Sequence, residues 1–170
     1  MNTAYIALGA NLGQPLNQLN QAITLLNASP HISVITAASI YQSIAIGPGE
    51  QPDYLNSVVH ITSMLSPADL LATLHGIETH LGRVRTVSWG ARTLDLDLLL
   101  YDEFTSTTSE LTVPHPRMCE RNFVIYPLLE ITTTLILPNG LSLETIAQKL
   151  VNVGIQRKNS FNSQRMQWMN

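Results

Sequence analysis

Charged side chains are scarce in this sequence of 170 residues, where Asp, Glu, Lys and Arg together account for only 12%. Soluble domains ordinarily carry roughly a quarter. The balance is slightly acidic, with a formal net charge of −3 at pH 7. Proteins that bind mainly nucleic-acid backbone carry a positive excess, so the composition argues against that class. In a chain with so few charged residues, each cluster of them is a candidate functional site.

Cysteine occurs once, as Cys119. A single thiol excludes an internal disulfide and fits a reducing compartment. No apolar run approaches the ~18 residues of a membrane span, and the first residues lack the basic start and long apolar stretch of a signal peptide. We therefore expect a cytoplasmic monomer, long enough to bury a core without disulfides or structural metal.

Apolar periodicity predicts a regular order of elements. Strands are predicted over 4–10, 31–43, 54–65 and 93–101, and helices over 14–27 and 66–82, the second with Ser66 as its N-cap. This β-α-β-β-α-β order predicts a split-βαβ domain of the α/β (α+β) class, in which helices cover one face of a mainly antiparallel sheet. Residues 102–152 are predicted to add a hairpin and short helices at its edge. The domain is expected to span 1–153, and the polar segment 154–170 to be a loosely held tail.

The stretch TLDLDLLLY places two aspartates, Asp95 and Asp97, at the start of an apolar strand. Because side chains alternate along a strand, both point to the same face, about 6.6 Å apart along the chain. The leucines between and beside them point to the core. Two such carboxylates suit hard cations, such as the Mg²⁺ pairs of phosphoryl-transfer sites. The alternative is that they pair with nearby arginines or cap a loop.

The loop before that strand, GRVRTVSWGAR, carries Arg83, Arg85 and Arg92. Guanidinium groups bind phosphate oxygens through paired hydrogen bonds. Beside two metal-binding carboxylates, the arginines favour a polyphosphate ligand. The competing interpretation is a solvated basic loop, and the residues alone support the two interpretations about equally.

Two further stretches carry candidate binding residues. In PDYLN, Tyr54 and Asn56 share a strand face, and an aromatic ring beside an amide suits a flat heterocycle. Tyr54 taken alone is more often a half-buried sheet residue. In LTVPHPRMCERNF, two prolines enclose His115, and Arg117 and Arg121 follow. A histidine held in this way, with arginines beside it, fits an anion site, although a lone histidine is usually structural.

Four separated stretches together resemble the signature motifs of the hydroxymethyl-dihydropterin pyrophosphokinase family. They are ALGANLG, QPDYLN, WGARTLDLDLLLY and LTVPHPRMCERNFVIYPLLEI, in the family's order over most of residues 4–131. The resemblance implies a ferredoxin-like sandwich. It also implies transfer of the β,γ-pyrophosphoryl group of ATP to the pterin hydroxymethyl group in folate biosynthesis, with release of AMP.

The resemblance also implies roles for individual residues. Asp95 and Asp97 would hold two Mg²⁺ ions that bridge the ATP phosphates, and Tyr54 and Phe123 would enclose the pterin ring. The full set of implied residues is Arg83, Arg92, Asp95 and Asp97 for catalysis; Ser43, Ile44, Ile46, Tyr54, Asn56, Trp89 and Phe123 for the pterin; and Glu78, Arg83, Arg92, Leu98, Thr112, His115 and Arg121 for the nucleotide.

Two other classes of protein stay open at this level. A nucleic-acid-binding module shares the predicted topology, but the acidic balance and the absence of an aromatic RNA-binding strand motif argue against it. A catalytically silent pterin sensor needs only the pterin pocket. The aspartate pair argues against a sensor, because metal ligands serve little purpose without a nucleotide.

Overall fold

The computed structural model describes residues 1–45, 49–83 and 91–169. Its helices are α1 (Pro15–Ala28), α2 (Pro67–His80), α3 (Asn122–Ile131) and α4 (Leu143–Ala147), with a short 3₁₀ helix over Met118–Glu120. Its strands are β1 (Asn2–Ala10), β2 (Ile32–Ala37), β3 (Tyr41–Ser43), β4 (Tyr54–Ser63), β5 (Asp95–Tyr101), β6 (Ser106–Thr107), β7 (Thr112–Val113), β8 (Ile155–Arg157), β9 (Phe161–Asn162) and β10 (Gln167–Trp168).

The main sheet has six strands in the order β5-β1-β4-β3-β8, with β2 also pairing with β4. β1 lies between β4 and β5 and is antiparallel to both. This arrangement confirms the predicted β-α-β-β-α-β order and the ferredoxin-like fold. β6 and β7 form the predicted hairpin after β5.

The strand predicted over 31–43 is two strands, β2 and β3. Between them the backbone bonds to groups outside the sheet ladder. The Ala38 carbonyl accepts from the Trp168 indole N–H at 2.7 Å and from the Ser57 hydroxyl at 3.0 Å. The Ser39 N–H donates to the Glu130 carboxylate at 3.1 Å. A β-branched run favours strand, but these side-chain partners interrupt it.

One face of the sheet carries the larger core. The helices α1 and α2 cover it with fully buried side chains that include Leu19, Ile23, Leu70 and Leu74. The α2 start is as predicted, because the Asp69 N–H donates to the Ser66 hydroxyl at 3.2 Å. No helix in the described part of the chain has the length and apolar character needed to cross a membrane.

The helices α3 and α4 cover one end of the other face of the sheet. The sequence predicts short helices at the edge of the sheet instead. Val124 and Leu128 of α3 pack with Val58 of β4 and Leu99 of β5 in a second buried cluster. The uncovered end of this face carries polar residues of β4 and β5. The second face is therefore divided into an apolar half and a polar half, and α3 begins at the boundary.

The C-terminal segment packs against the domain, which differs from the loosely held tail that the sequence predicts. β8 adds to the sheet beside β3. Trp168 is only 2% exposed, and its backbone N–H donates to the Asn20 side-chain oxygen at 2.8 Å. One large buried side chain, Trp168, therefore anchors a segment that is otherwise polar and lacks apolar periodicity. The domain division at residue 153 stays a prediction.

Trp168→Ala tests how firmly this segment is held. We expect the free energy of unfolding to fall by about 3 kcal/mol, the usual cost of truncating a buried aromatic residue. Urea denaturation followed by far-UV circular dichroism measures it. Met169→Ala is the matched control, because Met169 is 43% exposed. Equal stability of the two variants would mean that the segment is loosely held after all.

Candidate active site

A cavity of about 450 Å³ opens over the polar half of the second face. The strands β1, β4 and β5 form its floor, and the start of α3 forms one wall. Nine of the residues implied by the motifs line it: Ser43, Ile44, Tyr54, Asn56, Arg92, Asp95, Asp97, Arg121 and Phe123. The fold therefore brings residues from four distant stretches of sequence into one cavity.

Gly9 sits at the middle of the cavity floor. In the sheet it is opposite Asn56 on one side and opposite Asp95 on the other. A β-carbon at this position would lie 3.3 Å from the Asn56 Oδ1 and 3.8 Å from the Tyr54 ring. The missing side chain leaves open floor between the amide end and the carboxylate end of the cavity.

Asn56 occupies the amide end and is almost fully buried, with 6% exposure. Its Nδ2 donates to the Ser43 hydroxyl at 2.9 Å and to the Tyr41 carbonyl at 3.3 Å. These bonds hold the amide so that Oδ1 lies toward Gly9 and the cavity. A buried acceptor fixed in this way can accept a hydrogen bond from an N–H at the edge of a flat ring.

Two aromatic residues, Tyr54 of β4 and Phe123 of α3, both line the cavity. Burial raises the pKa of the Tyr54 hydroxyl above its usual value, so the phenol stays neutral. The Arg121 guanidinium lies 5.8 Å from the centre of the Phe123 ring, within the range of a cation–π contact. The two residues predicted to enclose a heterocycle thus line the same cavity, and their contact with a ring stays a prediction.

Asp95 is held by two arginines at the carboxylate end. The Arg83 Nη1 lies 2.8 Å from Oδ1 and the Arg92 Nη1 lies 2.6 Å from Oδ2. Pairing with arginines was the alternative left open for this motif, and the structure shows it. Phosphate binding is compatible with this pairing, because Arg92 also lines the cavity, where an anionic ligand can contact its guanidinium group.

Glu78 contacts this cluster through Arg83 and does not line the cavity. Its carboxylate is 2% exposed, pairs with Arg83 and accepts the Leu96 N–H at 2.7 Å. Burial raises the pKa of Glu78, while the Leu96 N–H and the arginine oppose the rise. Glu78 thereby links the end of α2 to the start of β5 and orients Arg83.

Asp97 is paired with His115 and Arg121. The Asp97 Oδ2 lies 3.6 Å from the His115 Nε2 and 3.3 Å from the Arg121 Nη1. Burial, followed by the neighbouring Asp95 charge, raises the pKa of Asp97. Burial lowers the pKa of His115, and the Asp97 charge opposes this. The Asp95 charge beside a partly buried Asp97 favours the arrival of a cation.

Asn11 is a positioning residue that the motifs contain but that sequence reasoning missed. It is 3% exposed, and its Oδ1 accepts the Arg92 N–H at 2.7 Å. The Arg92 carbonyl accepts the Asn11 N–H at 3.0 Å in return. The Asn11 amide also donates to the Pro52 carbonyl at 2.9 Å. The residue therefore ties the two segments flanking the cavity to the end of β1.

Other implied residues lie elsewhere. The Leu98 side chain is buried in the larger core, so it does not line the cavity. Thr112 pairs with Thr107 in the hairpin after β5, also away from the cavity wall. Ile46, Arg85 and Trp89 lie outside the described residues. The cavity also includes Asn122, Lys149 and Val151, which sequence reasoning did not single out.

Comparison with known proteins identifies the family to which the chain belongs. Residues 5–133 match the family model described as 7,8-dihydro-6-hydroxymethylpterin-pyrophosphokinase (HPPK). The chain is 48% identical to 2-amino-4-hydroxy-6-hydroxymethyldihydropteridine pyrophosphokinase of Haemophilus influenzae over 82% of this chain and 88% of that protein. It is 46% identical to the protein of the same name from Bacillus subtilis, over 76% of this chain and 78% of that one.

Solved structures agree on the fold. The crystal structure of an HPPK-DHPS in complex with substrates superposes with a TM-score of 0.74 at 10% identity, and the match covers 99% of this chain. A wild-type Plasmodium falciparum HPPK-DHPS with pteroate gives a TM-score of 0.73 at 11% identity over the same share. The match spans 48% and 47% of those longer chains. The chain belongs to the 7,8-dihydro-6-hydroxymethylpterin-pyrophosphokinase family.

Asn56→Ala tests the amide end of the cavity. We expect pterin binding to weaken by about 1–3 kcal/mol, because a buried ring edge loses its partner, while nucleotide binding changes much less. Isothermal titration of each ligand measures the two effects. Gln42→Ala is the control, since Gln42 bonds to Asp53 at 2.7 Å outside the cavity. Equal losses for both ligands would show that Asn56 acts only on the fold.

Proposed function

We propose that this chain transfers the pyrophosphoryl group of ATP to the hydroxymethyl group of 6-hydroxymethyl-7,8-dihydropterin in folate biosynthesis. The products are the pterin diphosphate and AMP. The observation that carries the proposal is one cavity with a ring-binding end at Asn56 and Tyr54 and an anion-binding end at Asp95 and Asp97. The family membership supports the same reaction. The proposal further includes action as a cytoplasmic monomer.

The residues at the carboxylate end fit Mg²⁺. Asp95 and Asp97 offer oxygen ligands on one strand face. Burial and then the Asp95 charge raise the pKa of Asp97, and a bound cation would offset both. Within the described residues there is no cluster of three or more acidic, histidine or cysteine side chains that could form a complete metal cage. Mg²⁺ commonly takes its other ligands from water and substrate phosphates. We propose two ions here, which would supply charge neutralisation to the polyphosphate.

The residues of the chain position the reactants and stabilise charge. The pterin hydroxyl oxygen forms a bond to the β-phosphorus of ATP, and the bond between that phosphorus and the oxygen of AMP breaks. The hydroxyl proton passes to water. Arg92 and Arg121 line the cavity, and Arg83 lies beside them on Asp95. In the proposed reaction these arginines stabilise the negative charge that builds on the phosphate oxygens. No covalent intermediate on the protein is required.

Incubation of the protein with ATP, Mg²⁺ and the hydroxymethyl pterin tests the reaction. Chromatography of the nucleotide products is expected to show AMP formed in equal amount to the pterin diphosphate. ADP as the product would instead define a phosphokinase, and binding of pterin without turnover would define a sensor. Omission of Mg²⁺, or its removal with a chelator, is expected to stop AMP formation.

Replacement of either carboxylate tests the metal assignment. We expect Asp95→Asn and Asp97→Asn to lower kcat/KM by at least about 10²-fold, because a bound metal supplies several kcal/mol of transition-state stabilisation. Steady-state AMP formation measures the loss. Asp102→Asn is the matched control, because its side-chain oxygen accepts the Thr3 N–H at 2.7 Å, which an amide oxygen can still do. Activity at the control level in either site variant would refute the metal assignment.

Arg92→Ala tests the phosphate contact. We expect kcat/KM to fall by about 10²-fold, the usual scale for one positioned electrostatic group. Arg92→Lys is expected to recover only part of the loss, since an ammonium cannot form the paired guanidinium contact. Arg165→Ala, in the C-terminal hairpin, is the control. A selective loss of pterin affinity in Arg92→Ala, with ATP kinetics unchanged, would contradict the assignment.

A further inference from the structure

One wall of the cavity comes from outside the part of the chain that defines the family. Lys149, Leu150 and Val151 line the cavity, whereas the family match ends at residue 133. The wall belongs to the segment 149–154, which connects the end of the α4 region to β8.

The segment 149–154 is attached through residues 151, 153 and 154 to the ring-binding end of the cavity. Asn122, the first residue of α3, donates its side-chain amide to the Val151 carbonyl at 3.1 Å and to the Val153 carbonyl at 3.2 Å. The next residue, Gly154, accepts the Ile44 N–H at its carbonyl oxygen at 3.0 Å. Asn122 directly precedes Phe123, and Ile44 directly follows Ser43. The segment thus bridges the two sides between which a ring would lie.

Close packing leaves the segment little freedom at its far end. Gly154 has φ of +70°, and a β-carbon there would lie 3.3 Å from the Ile44 Cδ1. Positive φ and limited space both favour glycine. β8 then continues directly, with Ile155 opposite Ser43. The position of the wall is therefore tied to the strand that carries Ser43 and, through it, to Asn56.

The wall presents apolar surface to the cavity mouth. Val151 is 72% exposed and Ile44 is 63% exposed. Large apolar side chains at a cavity rim gain stability when a flat ring covers them. Asp95 and Asp97 lie on β5, across β1 from Asn56, whereas Ile44 directly follows Ser43, the hydrogen-bond partner of Asn56.

We propose that the segment 149–154 is a specificity wall for the heterocyclic substrate, with Val151 in contact with the ring and Asn122 as the positioning residue that holds the wall. This inference rests on the proposed function. It adds a substrate-contacting element that lies beyond residues 5–133 and assigns the Asn122 side chain to it.

Asn122→Leu removes the two hydrogen bonds at nearly constant volume and without a change of charge. We expect KM for the hydroxymethyl pterin to rise about tenfold, from the loss of one to two net hydrogen bonds. The kcat and the KM for ATP are expected to stay within about twofold. Steady-state kinetics, together with pterin titration by fluorescence, separates these effects.

Asn20→Leu is the matched control. Asn20 also makes two hydrogen bonds to the backbone of the C-terminal segment, at Trp168 N and O, but does not line the cavity. We expect a comparable fall in melting temperature and no selective change in pterin KM. A second variant, Val151→Ser, alters an exposed side chain and avoids dependence on folding; it is expected to raise pterin KM about threefold through lost apolar burial.

The outcomes distinguish a failure of the proposed specificity wall from a failure of the proposed function. A wild-type protein that neither binds nor turns over the pterin overturns both proposals. A wild-type protein that does so, with Asn122→Leu matching Asn20→Leu in pterin KM, overturns the wall alone. An equal rise in the KM values for ATP and pterin also overturns it, because the role of Asn122 is then structural.

Discussion

Charge compensation at the start of β5 is the constraint on which the site depends. Asp95 and Asp97 lie on one face of a strand whose other face is buried among leucines. Burial and mutual repulsion disfavour two carboxylates so close together. The arginines supply the balancing charge, and a bound metal or polyphosphate would change how these groups pair. The surrounding segments are therefore organised around two negative charges.

The pairing of β1 between β4 and β5 divides the cavity into two chemically different ends. Strand alternation places Asn56 and Asp95 on the same face, and Gly9 between them leaves the floor open. A ligand with a flat ring and an anionic group can therefore lie across one strand. The rigidity of the sheet sets the separation of the two ends, which suits a reaction that depends on orientation.

The helix α3 serves both stability and function. Val124 and Leu128 bury the apolar half of the second face, while the start of the helix brings Arg121 and Phe123 to the cavity. Asn122 between them holds the segment 149–154. The packing of α3 thus sets the position of one wall and part of the anion site, and the proposed specificity wall extends this arrangement to a segment distant in sequence.

Local patterns in the sequence determined the order of the elements, the Ser66 cap and the shared face of Asp95 and Asp97, because these follow from side-chain periodicity and backbone chemistry. Within the described residues, the ion-pair partners of the aspartates, the packing of α3 on the second face, and the wall at 149–151 were decided by tertiary structure. Trp168 shows why: its polar neighbours lack periodicity, and its partner, the Ala38 carbonyl, is 130 residues away. Sequence periodicity reports which face of an element is apolar, but the element that covers this face is selected by contacts between distant segments.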